Sequence, residues 1–387
     1  MTHEMIPPER VANPVFDGLN SPLITDMRVT TVIGNRPQFV KAAAVSGRLR
    51  EVAEETMIHT GQHYDDELSA IFFEELGIPR PDRELGIGSG SNTEQTARML
   101  AALGPELENA ARPDMVLVYG DTNSTLAGAL AAAQAGLPVA HVEAGMRSFD
   151  RSMPEELNRV LTDHASALLL CPTPVAVANL ERESVLGEVA LVGDVMADVA
   201  LAFLPAARER SDVLAEFGVE AGRYLLVTAH RTNNVDDPAR LARLVEVLEA
   251  LPLPAVFPVH PRTRARLAAA PSLAERLEQV PELRLTRPLG YLDFLALLAS
   301  ARALLTDSGG AQKEAYLVGT PCLTLRDRTE WVETVEVGWN TLVNLDAAAV
   351  LSALERERPA GERPELYGGG RAALRVRDTL AAYTARR

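Results

Sequence analysis

From Arg28 onward, short apolar runs alternate with longer segments in which apolar residues recur three and four positions apart. Val29-Thr30-Thr31-Val32-Ile33 is β-branched and ends at Gly34, and the spacing over 37–49 predicts a helix. Residues 56–60 read as a second strand, followed by a helix over about 66–76. A third strand over 115–119 is closed by Gly120-Asp121, and an alanine-rich helix over 125–135 follows. Strands over 138–142 and 168–171 continue the series. The rhythm restarts after Val195, with strands over 224–228, 255–259, 303–306 and 322–325 and helices over 238–250, 293–300 and 311–317.

Strands of four or five apolar residues, each followed by a helix, imply right-handed βαβ units and parallel sheets. Two such series predict an α/β protein of two Rossmann-like domains with a cleft between them. The expected division is a loose tail over 1–27, a first domain over 28–195 and a second over 196–370. A final helix over 371–387 is expected to pack back on the first domain. Ligands of open parallel sheets sit at the carboxyl ends of the strands. The polar residues that interrupt the apolar pattern fall at those ends: Asn35-Arg36, His59, Asp121, Glu143, His230, His260 and Asp307-Ser308.

Composition narrows the class. The chain has 387 residues, long enough for two cores. Its 38 Lys and Arg against 53 Asp and Glu give a net charge of −15, which argues against nucleic-acid or anionic-membrane partners. No run of about 18 apolar residues predicts a membrane span. The first 26 residues lack the apolar core of a secretory signal and read as a tail, or as an extension upstream of Met27. Two cysteines without ligand spacing, Cys171 and Cys322, fit a reducing, cytoplasmic compartment.

Several segments carry candidate chemistry. Thr306-Asp-Ser-Gly-Gly310 follows a strand and opens a helix, where free N–H groups and glycine backbone suit a phosphate. The same residues also read as a serine N-cap with a glycine turn. Glu314 lies further along that helix, placed to take ribose hydroxyls. Arg36 and Lys41 form a candidate phosphate clamp, or two solvated cations. Asp121, Glu143 and Glu155 follow apolar segments; carboxylates converging in a cleft hold a proton between them and serve as acid and base. Helix capping by Asp121 and an i,i+4 pair of Glu155 with Arg159 compete with that role. His230-Arg231 reads as a further cleft pair. No His pair with zinc spacing, nucleophile elbow, Walker A loop or GxGxxG fingerprint occurs.

Taken together, Gly34-Asn-Arg-Pro-Gln38, Thr60-Gly-Gln-His-Tyr-Asp65, Gly120-Asp-Thr-Asn-Ser124, His141-Val-Glu-Ala-Gly-Met-Arg147, Pro154-Glu-Glu-Leu-Asn-Arg159, Thr228-Ala-His-Arg231 and Thr306-Asp-Ser-Gly-Gly310 resemble the non-hydrolysing UDP-N-acetylglucosamine 2-epimerase family. The resemblance runs from about Arg28 to the end of the chain. It implies a glycosyltransferase-B architecture, a UDP-sugar in the interdomain cleft, a homodimer, and neither NAD nor metal. It implies Asp121, Glu143, Glu155 and His230 as the catalytic set. It implies substrate binding by Arg36, Lys41, Arg147, Phe294, Ser308, Gly309, Gly310 and Glu314, with Phe294 lining the uracil. The expected reaction interconverts UDP-N-acetylglucosamine and UDP-N-acetylmannosamine through a 2-acetamidoglucal. A modified UDP-hexosamine such as a UDP-diacetamido-uronic acid, or hydrolysis to N-acetylmannosamine and UDP, are the alternatives. Asn35 and Gln38 in the first motif, Asp65, the loop Leu85-Gly-Ile-Gly-Ser-Gly90 and Trp331, where many members carry arginine, depart from the commonest pattern. These departures weaken the expectation of activation by a second UDP-sugar and resemble the branch acting on modified sugars.

Overall fold

A computed structural model describes residues 27–62, 80–108, 112–210, 212–359 and 362–387. The tail, the expected helix over 66–76, His63, Asp65 and the side chain of Arg36 lie outside the described residues. Two parallel sheets organise the rest. The first contains β1 (Arg28–Ile33), β2 (Glu54–His59), β3 (Arg83–Glu84), β4 (Met115–Tyr119), β5 (Val139–Val142), β6 (Leu168–Cys171) and β7 (Glu188–Leu191). Its order is β3-β2-β1-β4-β5-β6-β7, with every pairing parallel. The second contains β8 (Leu225–Thr228), β9 (Ala255–Pro258), β10 (Leu283–Thr286), β11 (Ala303–Thr306), β12 (Cys322–Thr324) and β13 (Asn340–Leu342), in the order β10-β9-β8-β11-β12-β13.

In each sheet the order reverses between two central strands, β1 and β4 in one and β8 and β11 in the other. Helices leave these strands toward opposite faces there, which opens a crevice at the carboxyl ends. Both crevices carry the residues singled out above: Gly34 and Gly120 in the first sheet, Ala229-His230 and Asp307-Ser308 in the second.

The central strands are apolar on both faces, as strands covered by helices must be; all of β4 is buried, with Tyr119 fully so. The strands over 115–119, 168–171 and 303–306 fall where the pattern predicts. The edge strands β3, β7, β10 and β13, half-exposed, carry no such signal. Two helices begin earlier than predicted because polar residues cap them. Thr122 accepts from Thr125 N and starts the helix Asn123–Gln134, and Ser308 starts the helix Gly309–Val318.

One apolar cluster runs through both sheets' helices. The helix Val195–Arg208 packs against Arg36–Leu49 on one side and against Tyr291–Ser300 and Gly309–Val318 on the other. It buries Val195, Val199, Phe203 and Ala207 in doing so. The last helix, Ala372–Ala385, lies against Arg36–Leu49 and Val195–Arg208. Asp198 fastens it by accepting from Ala372 N and Ala373 N.

Candidate functional site

The first crevice is built on close backbone approach. A Cβ on Gly34 would lie 1.8 Å from Ser124 Oγ and 2.4 Å from Thr60 Oγ1, so only glycine fits. Gln38 then joins the strand ends: its Oε1 accepts from Gly34 N at 2.7 Å, and its Nε2 donates to Tyr119 O at 2.7 Å. The imidazole of His141 is clamped between Gly120 O and Asp163 Oδ1, each at 2.7 Å. These bonds fix the loops that present Asp121 and Glu143.

Glu143 has a backbone φ of 72°, a conformation held by few non-glycine residues outside functional sites. Its Oε2 accepts from Lys41, on the helix Arg36–Leu49. Its Oε1 accepts from Lys313 at 3.2 Å, on the helix Gly309–Val318 of the other half of the chain. Burial pushes the Glu143 carboxyl up, yet Lys41 and then Lys313 outweigh it and hold the group down at about 2. Beside it, Asp121 pairs with Arg159. Asn158, on the same helix Pro154–Ala165, donates to Asp121 O at 3.0 Å. Glu155, at the start of that helix, faces Arg231 of the second sheet across 3.9 Å.

The second crevice centres on Asp307. Its carboxylate accepts from His230 N at 3.0 Å, Arg231 N at 2.9 Å and Asn234 Nδ2 at 3.1 Å, tying the ends of β8 and β11 together. The His230 ring stacks on His260, with centroids 5.1 Å apart. Burial first, then Arg231 and Arg262, push the His230 imidazole below its ordinary value against the pull of Asp307, favouring the neutral ring near pH 7. Ser308 is half-buried, Gly309 buried and Gly310 exposed at the helix N-terminus. A Cβ on Gly309 would meet Trp331 Nε1 at 3.3 Å. Glu314 is buried on the same helix and interacts with Tyr291, at the start of the helix that carries Phe294.

The structure thus joins Asp121, Glu143 and Lys41 at one crevice, and His230, Ser308, Gly309, Gly310 and Glu314 at the other. Lys313–Glu143 and Arg231–Glu155 cross between them. Four readings are corrected. Arg147 is no open substrate ligand: its side chain is 1% exposed, and its guanidinium is consumed by Asp163, Glu183 and Met146 O. Asp163 on the helix Pro154–Ala165 and Glu183 at the end of the helix Pro174–Glu183 hold it inward. Lys41 is not a solvated cation: it pairs with Glu143 at the first crevice. Arg159 pairs with Asp121 and Glu156, and Glu155 points instead to the second sheet, because one helical turn places 156 and 159 on the inner face. The cap after β4 is Thr122, which leaves the Asp121 carboxylate to Arg159.

Sequence reasoning missed Lys313, Asp194 and the buried pair Arg326–Glu330, in which the two side chains meet through both guanidinium nitrogens at 2.9 Å. Burial raises the Glu330 carboxyl, but Arg326 dominates and holds it at about 2. A lysine in a helix reads as solvated surface; this one is buried by Asp194 and Glu143 of the first half of the chain and by the Trp331 ring. Among the described residues, no group of three or more His, Cys, Asp or Glu side chains converges as metal ligands do, and no helix is long and apolar enough to cross a membrane.

A family model for UDP-N-acetylglucosamine 2-epimerase matches residues 48–381. A UDP-N-acetylglucosamine 2-epimerase homolog of Methanococcus maripaludis is 45% identical over 356 residues, covering 92% of this chain and 99% of the relative. The UDP-2,3-diacetamido-2,3-dideoxy-D-glucuronate 2-epimerase of Pseudomonas aeruginosa is 44% identical over 368 residues, covering 92% and 99%. The crystal structure of the Methanocaldococcus jannaschii UDP-GlcNAc 2-epimerase in complex with UDP-GlcNAc and UDP superposes with a TM-score of 0.84 at 41% identity, over 92% of this chain and all of that one. Motifs, paired sheets, cleft chemistry and relatives agree, and the chain belongs to the UDP-N-acetylglucosamine 2-epimerase family.

Proposed function

We propose that the chain inverts C2 of UDP-N-acetylglucosamine to give UDP-N-acetylmannosamine without releasing the sugar, as a cytoplasmic homodimer. The observation that carries this reading is Glu143, an ionised carboxylate held between a lysine from each half of the chain, one of them on the helix that opens at Ser308.

The C2 hydrogen of a hexosamine is not acidic, so the C1–O bond to UDP breaks first. Oxocarbenium character at C1 then acidifies C2–H. A carboxylate among Asp121, Glu143 and Glu155 removes the proton, giving a 2-acetamidoglucal beside UDP. Reprotonation of C2 from the opposite face and return of UDP to C1 complete the inversion. The N-terminus at Ser308, Gly309 and Gly310 receives the departing diphosphate, together with Arg36. His230, next to that turn through Asp307, attends the same charge. Glu314 takes the ribose hydroxyls and Phe294 lies along the uracil. A UDP-diacetamido-uronic acid is the second reading for the substrate, supported by the Pseudomonas relative at 44% identity.

The test is incubation with each UDP-sugar in D2O, followed by NMR. Solvent deuterium at C2 of recovered UDP-N-acetylglucosamine and UDP-N-acetylmannosamine is expected. Exchange with the diacetamido-uronate alone transfers the proposal to the second substrate. Free N-acetylmannosamine and UDP as the only products would overturn the non-hydrolysing reading.

A further inference from the structure

Lys313 is 2% exposed, and three groups enclose its ammonium. Asp194 Oδ2 takes one ion pair. Glu143 Oε1 accepts at 3.2 Å. The Trp331 ring covers it with the centroid at 3.9 Å. Burying an ammonium is costly unless it is fully partnered, and Asp194 alone would balance the charge. Asp194 is itself fixed, because its Oδ1 caps the helix Val195–Arg208 by accepting from Met196 N at 2.9 Å. The contact to Glu143 is therefore additional, and it crosses from the second sheet's helix to the loop after β5.

We infer that Lys313 is a positioning residue for the C2 chemistry: it clamps one Glu143 oxygen permanently and leaves the other to Lys41, so that Glu143 is presented to the cleft as a carboxylate in one orientation. The inference rests on the functional reading above. The two lysines differ in access, with side chains 12% exposed at Lys41 and 2% at Lys313. An arriving diphosphate competes for Lys41 and leaves Lys313 in place. Glu143 Oε2 then has a free electron pair for the C2 proton. Once the C1–O pair has departed with UDP, Glu143 takes the C2 proton and the C2–H electrons form the C1=C2 bond; the reverse steps return them. The charges around Glu143 are few. Lys41 faces it from the helix Arg36–Leu49 and Lys313 from Gly309–Val318, with Asp194 behind Lys313. Asp121 turns to Arg159, and His141 on β5 turns to Gly120 and Asp163.

The test follows the Glu143 Cδ resonance in protein labelled with 13C-glutamate, assigned by its loss in Glu143→Gln. Lys313→Met removes the clamp. Because it strands buried Asp194, the double variant Lys313→Met with Asp194→Asn removes both charges and guards against misfolding. In both, the Cδ titration midpoint is expected to rise by about one unit or more relative to the unmodified chain. Lys313→Arg, which keeps the charge, is expected to return it. With UDP-N-acetylglucosamine, kcat of the double variant is expected to fall about tenfold with KM nearly unchanged, and the acid limb of its pH profile to move up by the same interval. An unshifted Cδ midpoint in the double variant overturns the inference and leaves Lys313 a structural partner of Asp194. If no UDP-hexosamine exchanges C2 hydrogen even in the unmodified chain, the functional reading falls, while the Cδ titration still decides the role of Lys313.

Discussion

A carboxylate between two ammonium groups is held ionised, and at Glu143 this happens on a backbone of φ 72°. Replacing it with glutamine keeps the shape and removes the charge that takes the proton. Glu143→Gln is expected to lower C2 deuterium exchange by about a hundredfold or more, with UDP affinity by calorimetry changed only a few-fold; full exchange in the variant would remove Glu143 from the chemistry. Arg147 predicts the opposite division. Its guanidinium neutralises Asp163, which clamps His141 and through it Gly120. Arg147→Ala takes the guanidinium from that buried carboxylate and leaves it only His141 and the Gly145 N–H, so a loss of about 3–5 kcal/mol of stability is expected in denaturant titration. Among molecules that stay folded, UDP affinity is expected to be retained. A stable Arg147→Ala variant with weakened UDP binding would restore the substrate-binding role that the motif implied. Both residues stand out in the sequence; which of them faces the cleft depends on the partners that the fold brings.

The elements that carry the site are short strands joined to capped helices, and their glycines decide how closely loops approach. Gly145 has φ 79°, and a Cβ there would lie 2.4 Å from the Ala176 carbonyl oxygen. Its own N–H donates to Asp163 and its C=O accepts from Asn179 Nδ2, so the loop cannot shift without losing both. Gly145→Ala is expected to destabilise the chain by more than about 1 kcal/mol, read as a lower urea midpoint at constant slope; an unchanged midpoint would show that the loop relaxes freely. The strands over 115–119, 168–171 and 303–306 were legible because helices cover both their faces and make every position apolar. The strands β7 and β10 were not, because partly exposed positions along a sheet edge leave them as mixed in polarity as loops. The start of the helix Gly309–Val318 was misplaced because glycines carry no apolar signal, although Ser308 caps them.

At the scale of the molecule, the two sheets are joined by the apolar cluster along Val195–Arg208 and by ion pairs across the cleft. Several buried carboxylates sit below their ordinary range. Glu143 and Glu330 are held at about 2, and Asp163 is lowered because His141 and Arg147 outweigh its burial. Their folded pKa values lie below the unfolded ones, so the stability they contribute is present above about pH 4 and is lost as the pH falls toward 2. Unfolding free energy is expected to drop steeply over that window, and Lys313→Met combined with Asp194→Asn to flatten part of the slope. Buried pairs are poorly screened, so added salt is expected to change the profile little. A flat dependence between pH 5 and 3 would mean that these groups titrate alike in the folded and unfolded chain.

The order of apolar runs and helical spacing determined the α/β class, the doubling of the βαβ series and the strand ends at which chemistry collects, because local periodicity and glycine turns are properties of neighbouring residues. Motifs at Asp121, Glu143, His230 and Ser308 were likewise readable along the chain. What only the tertiary structure decided was partnership: Lys313 with Glu143, 170 positions apart, Arg159 with Asp121 rather than Glu155, and Arg147 turned inward. Charge alone does not reveal whether a side chain is solvated or buried. That depends on which element packs over it, and here the covering elements come from distant parts of the sequence.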